Sequence, residues 1–263
     1  MTAPHGPPLV TENRGAESGA RIDELLRTEL VALGRFRCPP TDPLWAAENY
    51  IGEYAHVAFP HVPVRIALRG RGDIVSDVTL ALCYAPGQRF RREALTPRGD
   101  ECLFAVLDGG LFEELGAEPL RAMPPDSFLR VHALDDPLAL EELIVGLSKH
   151  PLPRTGRWGE QVKELLAARL GERLTLAELA RELGTSPYHL ARSFRTATGL
   201  SIHQYRIQLR VRTALLRLRE DIDLCSLGLD LGFATHSHFT ESFRRVFGRP
   251  PRAVRELLSA RSR

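Results

Sequence analysis

Leu179-Ala180, Gly184, Ser186, Leu190, Phe194 and Gly199 recur, at nearly the same spacing, as Leu227-Gly228, Gly232, Thr235, Phe239, Phe243 and Gly248. Each set reads as two short helices joined by a tight turn. The small residue (Ala180, Gly228) lies where two helices nearly touch. The first glycine (Gly184, Gly232) ends a helix with positive φ. A hydroxyl residue (Ser186, Thr235) then caps the next helix, and an apolar pair four residues apart (Leu190/Phe194, Phe239/Phe243) faces inward.

In the first copy, Thr175-Leu176-Ala177-Glu178 is a capping box and Pro187 occupies a first helical position, where its missing N–H costs nothing. With Leu190 and Phe194 turned to the core, Tyr188, Ala191, Arg192 and Arg195 are left on the outer face. Such a helix fits the DNA major groove, and arginine can bond bidentately to guanine O6 and N7. His189 and Thr196 lie beside that face, within reach of phosphates. In the second copy His236, Ser237, Thr240, Glu241 and Arg244 project outward, with His238 at the margin and Arg245 and Arg249 placed for backbone phosphates. Glu241 is unexpected beside DNA, unless it accepts from a cytosine N4 amine. The two units span about 176–197 and 223–246. Residues 201–219 between them read as one helix about 28 Å long, against a half-site repeat of roughly 34 Å on duplex DNA.

Charge follows the same division. Residues 161–263 hold 18 Lys+Arg against 10 Asp+Glu, or +8, whereas residues 1–160 hold 17 against 23, or −6. A basic C-terminal third suits a polyanionic partner. At 43% hydrophobic and 26% charged, the composition is that of a soluble globular protein. No run reaches the ~20 apolar residues needed to cross a bilayer, and the start of the chain has neither the basic nor the apolar region of a secretory signal. A cytoplasmic location and no membrane partner are expected.

Upstream the pattern changes. Residues 1–20 read as a disordered tail. Residues 21–34 space Ile22, Leu25, Leu26 and Leu30 at helical intervals, with Gly34 as a stop. The runs 64–67, 77–84 and 102–107 are β-rich and punctuated by Gly70-Arg71-Gly72-Asp73, Pro86-Gly87 and Pro97-Arg98-Gly99-Asp100, which predicts an antiparallel sandwich or barrel. A helical pattern returns over 136–148, and the Pro/Gly-rich stretch around Lys149–Gly156 marks a linker, 149–157. Beyond it only helices are expected, near 158–171, 176–183, 187–197, 201–219, 223–231, 236–246 and 251–260.

The stretches Gly199-Leu-Ser-Ile-His-Gln-Tyr205-Arg206, Arg210, Ala214-Leu215-Leu216, Leu231-Gly232-Phe233-Ala-Thr-His-Ser-His-Phe239-Thr-Glu-Ser-Phe243-Arg-Arg245 and Phe247-Gly248-Arg-Pro250 make residues 160–258 similar to the DNA-binding domain of the AraC/XylS family of bacterial transcription regulators. The resemblance implies base readout by Tyr188, Ala191, Arg192 and Arg195 in the first unit and by His236, Ser237, Thr240 and Glu241 in the second. The chain departs from the family pattern at Gly228, usually Ala, which should loosen that helix by about 1 kcal/mol. It departs also at Glu241, where Arg is frequent, and at Val254, where Tyr is common. Asp230 adds negative charge. The first unit is therefore expected to supply more of the affinity.

The resemblance also implies a 21–148 domain of cupin-like β-barrel type that senses a small molecule or mediates dimerisation, with Ala58-Phe59-Pro60, Cys83-Tyr84-Ala85-Pro86-Gly87, Arg91-Arg92 and Gly99-Asp100 as landmarks. The expected fold is thus α+β in two domains: that barrel and, over 158–263, an all-α double helix-turn-helix domain. His56, His61 and His132 do not assemble a metal triad by spacing, and His236/His238, two apart on a helix, point apart. No metal, cofactor or catalytic group is expected. Cys38, Cys83, Cys102 and Cys225 form no CxxC pair. Cys83 and Cys102 read as buried strand residues and Cys38, beside Pro39-Pro40, as an exposed redox candidate. One of Arg91 and Arg92 points inward, to hold a carboxylate ligand or to pair with a structural acid. Trp45 and Tyr50 line a ligand mouth or cover the barrel. The function expected is sequence-specific regulation of transcription on double-stranded promoter DNA, with RNA polymerase, a small-molecule effector and a second copy of the chain as further partners. The alternative is an enzyme, or a redox or ligand-binding protein, with an accessory DNA-targeting domain.

Overall fold

The computed structural model describes residues 6–9, 18–69, 72–116, 118–134, 136–153 and 155–260. It divides into two compact units: Met1–Met123 with Leu134–Leu152, and Pro124–Ala133 with Pro153–Arg263. The fold class is α+β in two domains, a strand-rich N-terminal unit followed by a helical one.

The first unit holds ten strands: β1 (Arg21–Arg27), β2 (Val31–Cys38), β3 (Asn49–Tyr50), β4 (Ala55–Pro60), β5 (Val64–Leu68), β6 (Gly72–Ser76), β7 (Leu80–Tyr84), β8 (Arg89–Ala94), β9 (Asp100–Leu107) and β10 (Leu120–Ala122). It also holds the helices α1 (Gly109–Leu115) and α3 (Pro137–Leu147). All ladders are antiparallel, in a six-stranded sheet of order β1-β2-β9-β4-β7-β10 and a four-stranded sheet of order β3-β8-β5-β6. The barrel is therefore open, two sheets rather than one closed ring, among the described residues. In β5 the alternation is clean: Val64, Ile66 and Leu68 point inward while Arg65 and Ala67 face outward. These three join Ile74, Leu80, Leu82 and Leu120 in the main core, where each fully buried aliphatic side chain contributes roughly 1.5–3 kcal/mol.

The helix expected over 21–34 is not there; the segment is the β1–β2 hairpin. Of its apolar stripe, Leu25 and Leu30 remain 46% and 41% exposed, while Ile22 packs against Ala32, Phe104 and Val106. Val31, Ala32 and Leu33 are instead buried in β2 along the full length of β9. Thr28 makes the turn, its Oγ1 accepting from the amides of Leu30 and Val31. Gly34, read as a helix stop, lies in mid-strand opposite Phe104, where an added Cβ would come within 3.0 Å of the ring. The run 77–84 is broken by the turn Asp77–Thr79, in which the Asp77 carboxylate accepts from the amide and hydroxyl of Thr79. The tail expected over 1–20 falls mostly outside the described residues. Of its described parts, residues 6 and 7 accept from the Arg27 guanidinium and Ser18 donates to Asp42.

The second unit holds eight helices among the described residues: α2 (Pro125–His132), α4 (Arg157–Ala168), α5 (Leu176–Glu182), α6 (Pro187–Thr198), α7 (Ile202–Arg217), α8 (Leu224–Asp230), α9 (His236–Phe247) and α10 (Pro251–Ala260). All but α2 lie where the sequence pattern predicts them.

Candidate nucleic-acid interface and a cavity in the first unit

The two repeats are built by the same local chemistry. Thr175 and Glu178 form a reciprocal capping box at the start of α5. Asp223 caps α8 by accepting from the Ser226 amide at 2.8 Å. Both helices end in the same motif. Thr185 N–H donates to the Ala180 carbonyl at 2.9 Å, and Phe233 N–H to the Gly228 carbonyl at 3.0 Å, each across a left-handed glycine. Ser186 and Thr235 then cap α6 and α9, accepting from the amides of His189 and His238. The second turn is one residue longer and carries Phe233 where the first carries Thr185.

These turns hold α6 and α9 with one face buried. Leu190 and Phe194 are buried in α6, and Phe194 meets Tyr205 of α7 edge-on at 5.2 Å. From the turn into α9 the rings of Phe233, Phe239, Phe243 and Phe247 follow one another at 5.3, 5.9 and 4.7 Å. Gly228 has a positive role here rather than merely loosening α8: a Cβ on it would lie 3.0 Å from both Cβ and Cγ of Phe239. The first copy has Ala180 and Leu190 at the corresponding places, so the smaller residue in α8 accompanies the larger one in α9.

The outward faces carry the candidate contacts. Tyr188 is 74% exposed; His189, Arg192, Arg195 and Thr196 are exposed and Ala191 is half-buried. Neither Arg192 nor Arg195 forms an ion pair among the described residues. On α9, His236, Ser237, His238, Glu241, Arg244 and Arg245 are exposed and Thr240 is half-buried. Glu241 lies 2.8 Å from Arg244 and 3.6 Å from Arg245, so one carboxylate engages both arginines of α9. Asp230 likewise stands 3.7 Å from Arg217.

The helix between the repeats, α7, has 16 residues and is about 24 Å long. Its Arg210 is 2% exposed and acts as a clamp that the motif reading did not foresee. Nε donates to the Leu170 carbonyl, Nη2 to Glu172 and Nη1 to Gly232, at 2.9, 2.9 and 2.8 Å. One guanidinium thus ties the loop before α5 to the turn of the second repeat. Burial pushes its pKa down to about 10. The signal available in the sequence was an arginine set between the apolar Leu209 and Val211 of α7. Gly232 belongs to the same clamp: with φ 81°, a Cβ there would fall 2.3 Å from the Gly171 carbonyl oxygen.

A helix-turn-helix domain family matches residues 179–257. The regulatory protein SoxS of Salmonella typhimurium is 30% identical over 96 residues, which are 36% of this chain and 90% of SoxS. The chain belongs to the AraC/XylS family. Another relative, the Msm operon regulatory protein of Streptococcus mutans, is 28% identical over 103 residues, 39% of this chain and 37% of that protein. The chain thus spans little more than a third of that relative's length. The crystal structure of the DNA-binding domain of AdpA in complex with a target DNA is 29% identical, covering 38% of this chain and 91% of that one at a TM-score of 0.37. The family match at residues 179–257 lies in the helical region, and the β-rich unit is read from its own geometry.

That unit contains a cavity of about 100 Å³. Its walls are mostly apolar, from Phe36, Val64, Ile66 and Phe104 among others. Of the arginine pair, Arg92 is the inward one, buried, while Arg91 is exposed. Arg92 donates to Asp100 at 2.8 Å and to Asn49 at 3.1 Å, and its guanidinium stands over the rings of Phe36 and Trp45 at 4.9 and 5.6 Å. The inner arginine therefore pairs with a structural acid. Its Nε is buried without a partner. Burial raises the Asp100 carboxyl pKa against the opposing pull of Arg92. His56, lining the same cavity, is pushed by burial down to about 4 and is neutral at physiological pH. Tyr50 lines the cavity and Trp45 caps Arg92.

Cys38, expected to be exposed, is 3% exposed at the end of β2, and burial raises its thiol pKa to about 11; it is not a reactive thiolate. Cys83 is buried in β7 and also pushed up to about 11; Cys102 lines the cavity from β9, its thiol likewise raised by burial. Cys225 is exposed. Among the described residues no three His, Cys, Asp or Glu side chains converge as a metal site, and no helix is long and apolar enough to cross a membrane.

Proposed function

We propose that this protein is a sequence-specific regulator of transcription that inserts α6 and α9 into successive major grooves of promoter DNA. One observation carries the reading: two recognition-type helices, one before α7 and one after it in the chain, are each packed by one face onto a helical core and leave their cationic and polar faces open. Arg192 and Arg195 read or anchor the first groove, with Tyr188 and Ala191 beside them and His189 and Thr196 toward phosphates. His236, Ser237, His238 and Thr240 address the second groove, and Arg244 and Arg245 its backbone. Glu241 lowers the affinity of the second helix-turn-helix by holding both arginines of α9. RNA polymerase and a second copy of the chain are the protein partners of this reading, and the cytoplasm is its location.

The cavity in the first unit is the effector site in this proposal. Because Arg92 is already neutralised by Asp100, a carboxylate ligand would have to displace that acid. An uncharged, largely apolar molecule with one acceptor for the Arg92 Nε–H fits the lining better. An enzymatic reading finds no support in the buried, high-pKa thiols or in the compensated Arg92–Asp100 pair.

A mobility-shift titration on the DNA upstream of the protein's own gene, at two salt concentrations, tests the function. Specific complexes that weaken steeply as salt rises are expected. Binding equal to that of scrambled DNA of the same length would overturn it.

A further inference from the structure

Helix α2 is encoded between β10 and α3 of the first unit, yet it packs as part of the second. Its anchor is Phe128, 1% exposed, whose ring stacks on Phe247 of α9 at 6.5 Å and lies 5.1 Å beneath the Arg212 guanidinium of α7. Val131, one turn on, is also buried. The His132 ring packs on Phe128 at 4.5 Å, and Arg219, just past α7, donates to the His132 carbonyl at 3.0 Å. Eight residues cannot hold a helix by themselves in water, so α2 exists because of this seat. In return it supports the C-terminal half of α9 and the end of α7.

Both chain ends of α2 are fastened within the first unit. On one side Met123 N–H donates to the Thr79 carbonyl at 3.1 Å, and Pro124 and Pro125, with fixed φ, lead directly into the helix. On the other, the Asp136 side chain caps α3 by accepting from the Leu138 amide at 3.1 Å. The strand before α2, β10, is paired with β7, which carries Tyr84 into the cavity wall. A shift of β10 has almost no slack chain to absorb it before Phe128.

We propose that α2 is a tether through which the first unit sets the grip of the second helix-turn-helix: seated, it holds recognition helix α9 in place; drawn off, it leaves α9 without support. The effect on DNA rests on the regulator reading above; the mechanical coupling does not. Coupling of this kind is reciprocal, so anything that immobilises α9 also protects α2.

Hydrogen exchange on the full chain, without DNA, tests the tether. Phe128→Ala should speed exchange over residues 239–247 at least about tenfold while leaving α5, α6 and the sheets of the first unit unchanged. Arg219→Gln, a milder change that removes the bond to the His132 carbonyl, should act in the same direction and less. Leu82→Val on β7, opposite Leu120 of β10, should speed exchange in α2 and α9 although it lies in the first unit. If Phe128→Ala leaves α9 unchanged, or the Leu82→Val effect stops at β10, the tether is wrong. If α9 responds in all three variants while a 40-base-pair duplex at low salt binds none of them nor the parent chain, the tether stands and the DNA-binding reading fails.

Discussion

Replacing Gly228 by alanine separates two physical expectations of opposite sign. Helix propensity alone favours the change: in mid-helix, alanine is better than glycine by about 1 kcal/mol. Packing opposes it. The new methyl would stand 3.0 Å from Cβ and Cγ and 3.1 Å from Cδ1 of Phe239, a residue with no exposed surface, edged by Phe233 and Phe243. Phe239 Cβ can retreat only if α9 shifts, and overpacking of this kind costs about 1–3 kcal/mol. The net expectation is a loss of roughly 1 kcal/mol in the second repeat. Phe239→Leu reproduces the pairing of the first repeat, Ala180 with Leu190. Alone it costs about 1–2 kcal/mol for the vacated volume. Combined with Gly228→Ala it should cost at least about 1 kcal/mol less than the sum of the single changes. Native-state hydrogen exchange over α8 and α9 reads this locally. If Gly228→Ala slows exchange equally in both backgrounds, the close approach is not what keeps glycine at 228.

Four further outcomes follow from named residues. Arg210→Leu leaves the carbonyls of Leu170, Glu172 and Gly232 without their donor and should cost roughly 3 kcal/mol or more, seen as an early denaturant transition of the helical unit. His56, held near pKa 4 against 6.5 unfolded, stays neutral while the unfolded chain takes up a proton. Stability of the β-rich unit should therefore fall by up to roughly 3 kcal/mol as pH drops from 6.5 to 4. Comparison with His56→Leu isolates this contribution from Asp100, whose raised pKa acts in the opposite direction. Glu241→Gln releases Arg244 and Arg245 and should tighten DNA binding about three- to tenfold with a steeper salt dependence, whereas Arg192→Ala should weaken it by about 1–3 kcal/mol, both read by fluorescence anisotropy.

The helical region was legible because its signals are local. Capping residues, left-handed glycines and i, i+4 apolar pairs each act within a few residues, and Thr175, Ser186, Thr235, Gly184 and Gly232 do what their types dictate. The N-terminal hairpin was not, because Ile22, Leu25, Leu26 and Leu30 satisfy a helical period by accident. What decides the segment is pairing with β9, seventy residues away, to which only a tertiary argument has access. The clamping role of Arg210 and the anchoring role of Phe128 were missed for a related reason. Each serves groups distant in sequence, and Phe128 sits in a short stretch whose seat on α9 no local pattern announces. At Cys38 the neighbouring prolines suggested a surface loop, but Cys38 ends β2 and its thiol is buried beside Ala20 and Leu44. The outer faces of α6 and α9 followed simply by subtraction, once the buried pairs were assigned.

The central claim is that two unequal recognition helices on one chain read neighbouring grooves. Hydroxyl-radical footprinting of the protein on its own upstream DNA, with the parent chain and with Arg192→Ala, addresses it most directly. Two protected patches on one face of the duplex, about 10 base pairs apart, are predicted, with both weakened together in Arg192→Ala because the first helix-turn-helix carries more of the affinity. A single patch that survives Arg192→Ala, or uniform protection along the fragment, would contradict the account.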